Sequence, residues 1–269
     1  MKIIDAHIHY QPENVHFDRL AQSAGHENTE RHLREAFAAA DIECAIVMGG
    51  RGLMAGNKDY PDFLHYCFGV HRDALEPESA YQAIAQAELH LQKKDCVGLK
   101  IYAGYTFREL CDPVYAPFYQ LAEKYDKPVA VHTGVTASSN ALLHYSHPLQ
   151  LDAAAVEFPG VRFVMCHFGN PWLMDAAAVL EKNTNISADL SGLLVGQIDV
   201  EGYLRKQRGY VEQLKTWIAY VDDYGKFMYG TDWPLAGIDG YIGLTKEIIP
   251  QEHWDAVFYE NARRVYGLK

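Results

Sequence analysis

Short runs of β-branched and aliphatic residues alternate with longer amphipathic runs along the chain. The apolar runs predict eight strands, at 2–9, 44–48, 66–71, 97–102, 128–133, 162–168, 185–190 and 227–231. Several are almost continuously apolar, as parallel strands covered on both faces are. The amphipathic runs predict helices at 29–40, 77–93, 113–125, 148–157, 171–182, 208–224 and 251–266. The first opens at Thr29, a good N-cap residue, and four of the others open at proline, which a first helical turn tolerates. Residues 57–65 leave room for a turn or two of helix. Eight strands alternating with helices predict an α/β fold, a (β/α)8 TIM barrel, and the lack of any linker or repeat makes 1–269 a single domain. The competing doubly wound sheet would place a glycine-rich phosphate loop after the first strand. Tyr10-Gln11-Pro12-Glu13 stands there instead.

Composition narrows the partners. The chain has 24 basic and 35 acidic residues, a formal net charge of −11, which disfavours nucleic acid as a partner. A small anion held by a few arginines is still compatible with it. Hydrophobic residues make up 49 %, as in an ordinary globular protein. Five cysteines without a Cys-x-x-Cys pair read as reduced thiols, and the start Met1-Lys2-Ile3-Ile4-Asp5 has no signal-peptide character. The expectation is a cytoplasmic protein without a membrane partner, with a homodimer as the default assembly.

The candidate chemistry lies at the strand ends. In a barrel of this kind catalytic groups sit at the C-terminal ends of the strands. The predicted ends read Asp5-Ala6-His7-Ile8-His9, Gly98-Leu99-Lys100, Val131-His132-Thr133-Gly134, Cys166-His167-Phe168-Gly169 and Gly230-Thr231-Asp232-Trp233-Pro234. His7 and His9 are two apart on a strand, so both imidazoles point to one side. Buried imidazoles need partners, and a divalent metal serves both. His132 and Asp232 complete a nitrogen–oxygen shell that suits zinc, or manganese, iron or cobalt. Each residue alone has an ordinary structural reading, as a satisfied core histidine or a turn aspartate. Their joint placement favours one metal ion.

These motifs, with the tail Tyr259-Glu260-Asn261-Ala262-Arg263-Arg264, resemble the amidohydrolase superfamily over essentially the whole chain. The resemblance is to the amidohydrolase-related branch that includes aminocarboxymuconate semialdehyde decarboxylase-like proteins. It implies His7, His9, His132 and Asp232 as metal ligands. It implies His167 as the catalytic histidine beside the bound water, with Asp232 also able to shuttle a proton. A divalent ion lowers the pKa of the water it holds from 15.7 towards about 7. Lys100 corresponds to the strand-four lysine that is carboxylated in two-metal members; a second metal is expected only in that case, and an ion pair or a substrate carboxylate is the other reading.

Arg51 and Arg72 follow strands two and three, where they can bind a carboxylate or simply stay solvated. Tyr102, Tyr105, Trp172 and Trp233 can wall a substrate or fill the core. Asn170 can contact substrate or cap the helix at Pro171, the cap being favoured. The expected function is a metal-dependent hydrolase of a small carboxylated lactone, amide or ester, with a non-oxidative carboxy-lyase as the alternative. A metal-dependent deoxyribonuclease of the TatD group would carry glutamate where Lys100 stands. A catalytically silent binding barrel would lack a ligand, and none is missing.

Overall fold

The computed structural model describes residues 1–12, 14–49 and 60–269. The strands are β1 (Ile3–Ile8), β2 (Ile42–Met48), β3 (Leu64–Val70), β4 (Cys96–Ile101), β5 (Val129–His132), β6 (Phe163–Cys166), β7 (Ile186–Asp189) and β8 (Phe227–Met228). They form one parallel sheet in sequence order. The sheet closes where the chain after β8 meets β1: Tyr229 O accepts from Ala6 N at 2.9 Å and Asp232 N donates to His7 O at 2.8 Å. The architecture is the expected TIM barrel.

Eleven helices accompany the strands among the described residues: α1 (Val15–Ser23), α2 (Glu30–Ala39), α3 (Ala80–Leu91), α4 (Ala103–Thr106), α5 (Ala116–Lys124), α6 (Leu149–Glu157), α7 (Leu173–Lys182), α8 (Val200–Lys206), α9 (Arg208–Val221), α10 (Ile238–Ile248) and α11 (Asn261–Val265). Thr29 caps α2 as expected, its hydroxyl accepting from His32 N at 3.2 Å. Four helices depart from the expectation. Helix α1 and helix α8 fall in stretches expected as loops, and α4 and α10 follow β4 and β8 where no helix was expected. The long helix expected over 251–266 is present as one unbroken helical run, opening as a 3-10 turn at Gln251–His253, widening to a π-helical stretch at Ala256–Glu260 and closing in α11. Among the described residues, no helix is long and apolar enough to cross a membrane.

The core has two shells. One lies between the strands and the helices. The other fills the barrel with alternate strand residues: Ile4, Ala6, Cys44, Ile46, Met48, Cys67, Val97, Ala130, Val164, Cys166 and Met228, with Val265 and Tyr266 packed against them. Ile4 and Ala6 belong to the inner shell but Ile8 to the outer one. The inside–outside parity of β1 therefore changes between Ala6 and Ile8, where the β1–β2 register also slips. That slip turns His7 and His9 together into the barrel mouth.

Candidate metal centre

His7 is fully buried, and its Nδ1 donates to Asp189 Oδ2 at 2.9 Å. Burial pushes the His7 imidazole down to about 4, so it is neutral at pH 7. Burial also opposes ionisation of Asp189, but the facing His7 and His167 rings and the Lys100 ammonium hold its carboxyl well below the usual carboxylate range. The carboxylate thereby fixes the His7 tautomer and leaves the Nε2 lone pair facing the site. The ring centroids of His7 and His9 stand 5.4 Å apart. Asp232 Oδ1 lies 3.2 Å from His9 Nε2 and 3.4 Å from His7 Nε2.

His132 and His167 form a second linked pair. Ser191 O stands 3.2 Å from His167 Nδ1, and a carbonyl can only accept. His167 Nδ1 therefore carries the proton, and its Nε2 accepts from His132 Nδ1 at 3.1 Å. His132 is left with Nε2 as a lone pair. This assignment follows from the hydrogen-bond network. Burial lowers the pKa of both rings, which keeps them in the neutral form that binds metal.

The fit to a cation rests on unpaired atoms. His7 Nε2, His132 Nε2 and Asp232 Oδ1 are all buried with no hydrogen-bond partner. Buried polar groups in that state are costly and ask for an explanation. His7, His9 and Asp232 bring ligand atoms within 4.8 Å of one another. These three form a donor set for one divalent ion, and the group does not include His132, the fourth expected ligand.

Backbone geometry at the site is unusual. His167 and Asp232 both have positive φ, +64° and +61°. Non-glycine residues reach that region at a cost, and such positions gather at functional sites. Asp5, fully buried, clasps the strand ends by accepting from Thr231 N at 3.0 Å and Thr231 Oγ1 at 2.6 Å. Burial raises its pKa to about 7.

A cleft of about 770 Å³ opens over the site, lined in part by His9, Phe17, His71, Arg72, Tyr102 and Tyr105. Arg72 is largely exposed, with its guanidinium over the Phe107 ring at 4.9 Å. The other expected contacts fall elsewhere. Trp233 is fully buried and does not line the cleft. Trp172 packs on the His147 ring. Asn170 does not cap a helix: α7 starts at Leu173, after a turn through His167–Gly169, and Asn170 instead spends its backbone groups on His167 O and Val135 N. Lys100 is fully buried, with its amine on Cys166 Sγ rather than in the cleft. Arg51 lies outside the described residues. Asp189 escaped the sequence reading, although it ends an apolar strand as Asp232 follows one.

The amidohydrolase family profile matches residues 4–268. The chain belongs to the amidohydrolase family. No curated protein sequence matches this amidohydrolase. Its structure is similar to a probable 2-pyrone-4,6-dicarboxylic acid hydrolase from Acinetobacter baumannii with citric acid bound, at TM-score 0.65 and 17 % identity, covering 99 % of this chain and 100 % of that one. It is similar to 2,6-dihydroxybenzoate decarboxylase from Rhizobium, at TM-score 0.67 and 15 % identity, covering 100 % and 99 %. It is also similar to an amidohydrolase from Burkholderia multivorans with bound zinc, at TM-score 0.66 and 17 % identity, covering 100 % of both chains.

Proposed function

We propose that this amidohydrolase is a metal-dependent hydrolase of a small carbonyl substrate that carries a carboxylate, such as a lactone, amide or ester. The observation that carries the reading is that His7 Nε2 and Asp232 Oδ1, both buried and unpartnered, lie within 4.8 Å of each other and of a His9 ligand atom at the barrel mouth, with His132 Nε2 also buried and unpartnered. With His9 they would hold one divalent ion, and zinc is our choice for this nitrogen–oxygen set. Such an ion activates water and polarises a carbonyl.

The chain's own groups supply the rest. His167, its Nδ1 fixed by Ser191, keeps Nε2 as its basic nitrogen, engaged in the resting structure by His132 Nδ1, and is our choice for the group that holds and returns a proton. Asp232 can accept a proton at its unpaired oxygen. Phe17, Tyr102 and Tyr105 wall the cleft for a flat or unsaturated substrate, and Arg72 stands at its rim to pair with a carboxylate. The burial of Lys100 against sulfur supports a single ion rather than a two-metal site with carboxylated lysine. The proposed partner is thus a small molecule, neither nucleic acid nor membrane, and the proposed compartment is the cytoplasm, where five free thiols stay reduced.

The aromatic walls also favour a second reading, non-oxidative decarboxylation of an aromatic or unsaturated acid. The test begins with elemental analysis of protein prepared without chelator. One divalent ion per chain in the wild type, lost in His9→Ala and Asp232→Asn but kept with lost turnover in His167→Ala, supports the site. Metal retained in Asp232→Asn together with full activity sinks it. Proton release from lactones against carbon dioxide release from aromatic acids then separates the two reactions.

A further inference from the structure

Lys100 stands on β4 and Cys166 ends β6, and both side chains enter the barrel interior across the intervening β5. Both residues are fully buried. Lys100 Nζ lies 2.7 Å from Cys166 Sγ. That is the separation of a nitrogen–oxygen hydrogen bond, although sulfur is the larger atom. The amine also lies 5.1 Å from the Tyr102 ring, and the buried Asp189 carboxylate, within 4.8 Å of Cys166 Sγ, supplies the opposite charge that faces it. The thiol itself is only a weak acceptor for an ammonium. Met48, Cys67 and Val164 belong to the same apolar interior, which admits a small apolar oxidant more readily than a charged one.

We propose that Lys100 and Cys166 form a redox pair that closes into a covalent nitrogen–oxygen–sulfur bridge, with dioxygen as the oxidant. The lysine first gives up one proton. The neutral amine, the thiol and one dioxygen then yield the bridge and one water. The S–H bond, one N–H bond and the dioxygen bond break; one S–O bond, one O–N bond and the two O–H bonds of the water form. Sulfur and nitrogen each lose two electrons, and dioxygen takes up all four. Reversal consumes two equivalents of a dithiol and releases the bridging oxygen as water. The bridge ties β4 to β6 directly before His167. It also replaces the ammonium beneath His7, His132 and His167 with a weakly basic nitrogen. The proposal does not depend on the metal or the reaction assigned above.

The test compares full-length wild-type protein kept under dithiothreitol without air against the same protein held in air-saturated buffer. After denaturation without reductant, the aired sample is expected to show a peptide joining the Lys100 and Cys166 segments. Its mass exceeds the sum of the two free peptides by about 14 Da, one oxygen gained and two hydrogens lost. Dithiothreitol is expected to abolish it. Titratable thiols fall from five to four on oxidation and return on reduction. Cys166→Ser and Lys100→Arg are each expected to remove the joined peptide. Five thiols after prolonged airing overturn the proposal. So does Cys166 recovered as a sulfenic or sulfinic acid with Lys100 still open to trypsin. The wild-type measurement decides the matter even if a variant fails to fold.

Discussion

His167 holds its ring where it does because Gly192 has no side chain. A Cβ at Gly192 would meet His167 Nδ1 at 2.6 Å, and the glycine's own φ of +62° disfavours any other residue. Gly192→Ala is therefore expected to keep the metal and lower kcat on the order of 100-fold, since a displacement near 1 Å has that scale. Metal analysis alongside steady-state kinetics checks it; a variant with unchanged kcat would show that the His167 position does not matter. At His7 the decisive neighbour is Asp189. Asp189→Asn is expected to weaken metal affinity about 10- to 100-fold, measured by competition with a chelating indicator. His7, His9, His132, His167 and Asp232 were legible because each stands at the end of an apolar run. Asp189 was not, because its run was read on to Leu190 and the carboxylate looked internal to the strand.

Among the elements, the segment after β7 is held from outside the barrel. Tyr241 on α10 donates to Leu190 O at 2.6 Å and accepts from Leu193 N at 3.0 Å, so one phenol brackets Ser191 and Gly192. Tyr241→Phe leaves a buried carbonyl and amide unpaired. It is expected to cost about 1–3 kcal/mol in denaturant unfolding, and kcat is expected to fall with it. Helix α10 was hidden in the sequence by Gly240 and Gly243, which lower helix propensity. The structure gives a reason for one of them: a Cβ at Gly240 would lie 2.6 Å from Ile198. Helix α1 was hidden differently, because only Ala21 of its nine residues is buried and five of the nine are polar. The strands were legible throughout because their apolar runs are filled on both sides. Their ends were overrun at β6 and β8, where the chain turns away through His167 and Asp232.

For the whole molecule, acid and metal are the two levers. Burial lowers the pKa of His26, His65 and His90, and the His90 ring is further held against Tyr66 OH at 2.7 Å. The unfolded chain takes up these protons near pH 6.5 while the folded one refuses them, so the stability these three rings supply is steady above that value and falls as the pH drops below it, opposed by Asp5, whose raised pKa favours the folded state as the pH falls below about 7. Urea midpoints measured between pH 7.5 and 5 are expected to decline, and His90→Gln is expected to flatten part of the slope. Metal acts in the opposite sense. An ion bound to the folded state alone at about 1,000 times its Kd adds about 4 kcal/mol, so chelation is expected to lower Tm and zinc to restore it.

The Asp5–Thr231 clasp joins residues 226 positions apart in sequence. His7 and His9 leave the ribosome early, and the carboxylate they share comes more than two hundred residues later. Until β8 is made and swings beside β1, the first two histidines have no Asp232 and no neighbour to close the barrel. At the proposed site, ion capture is thus expected to be a late event in the life of each molecule, and any metal met earlier is offered an incomplete nest. The clasp sets a clock as well as a shape: the proposed ion site is complete only at the moment the barrel shuts.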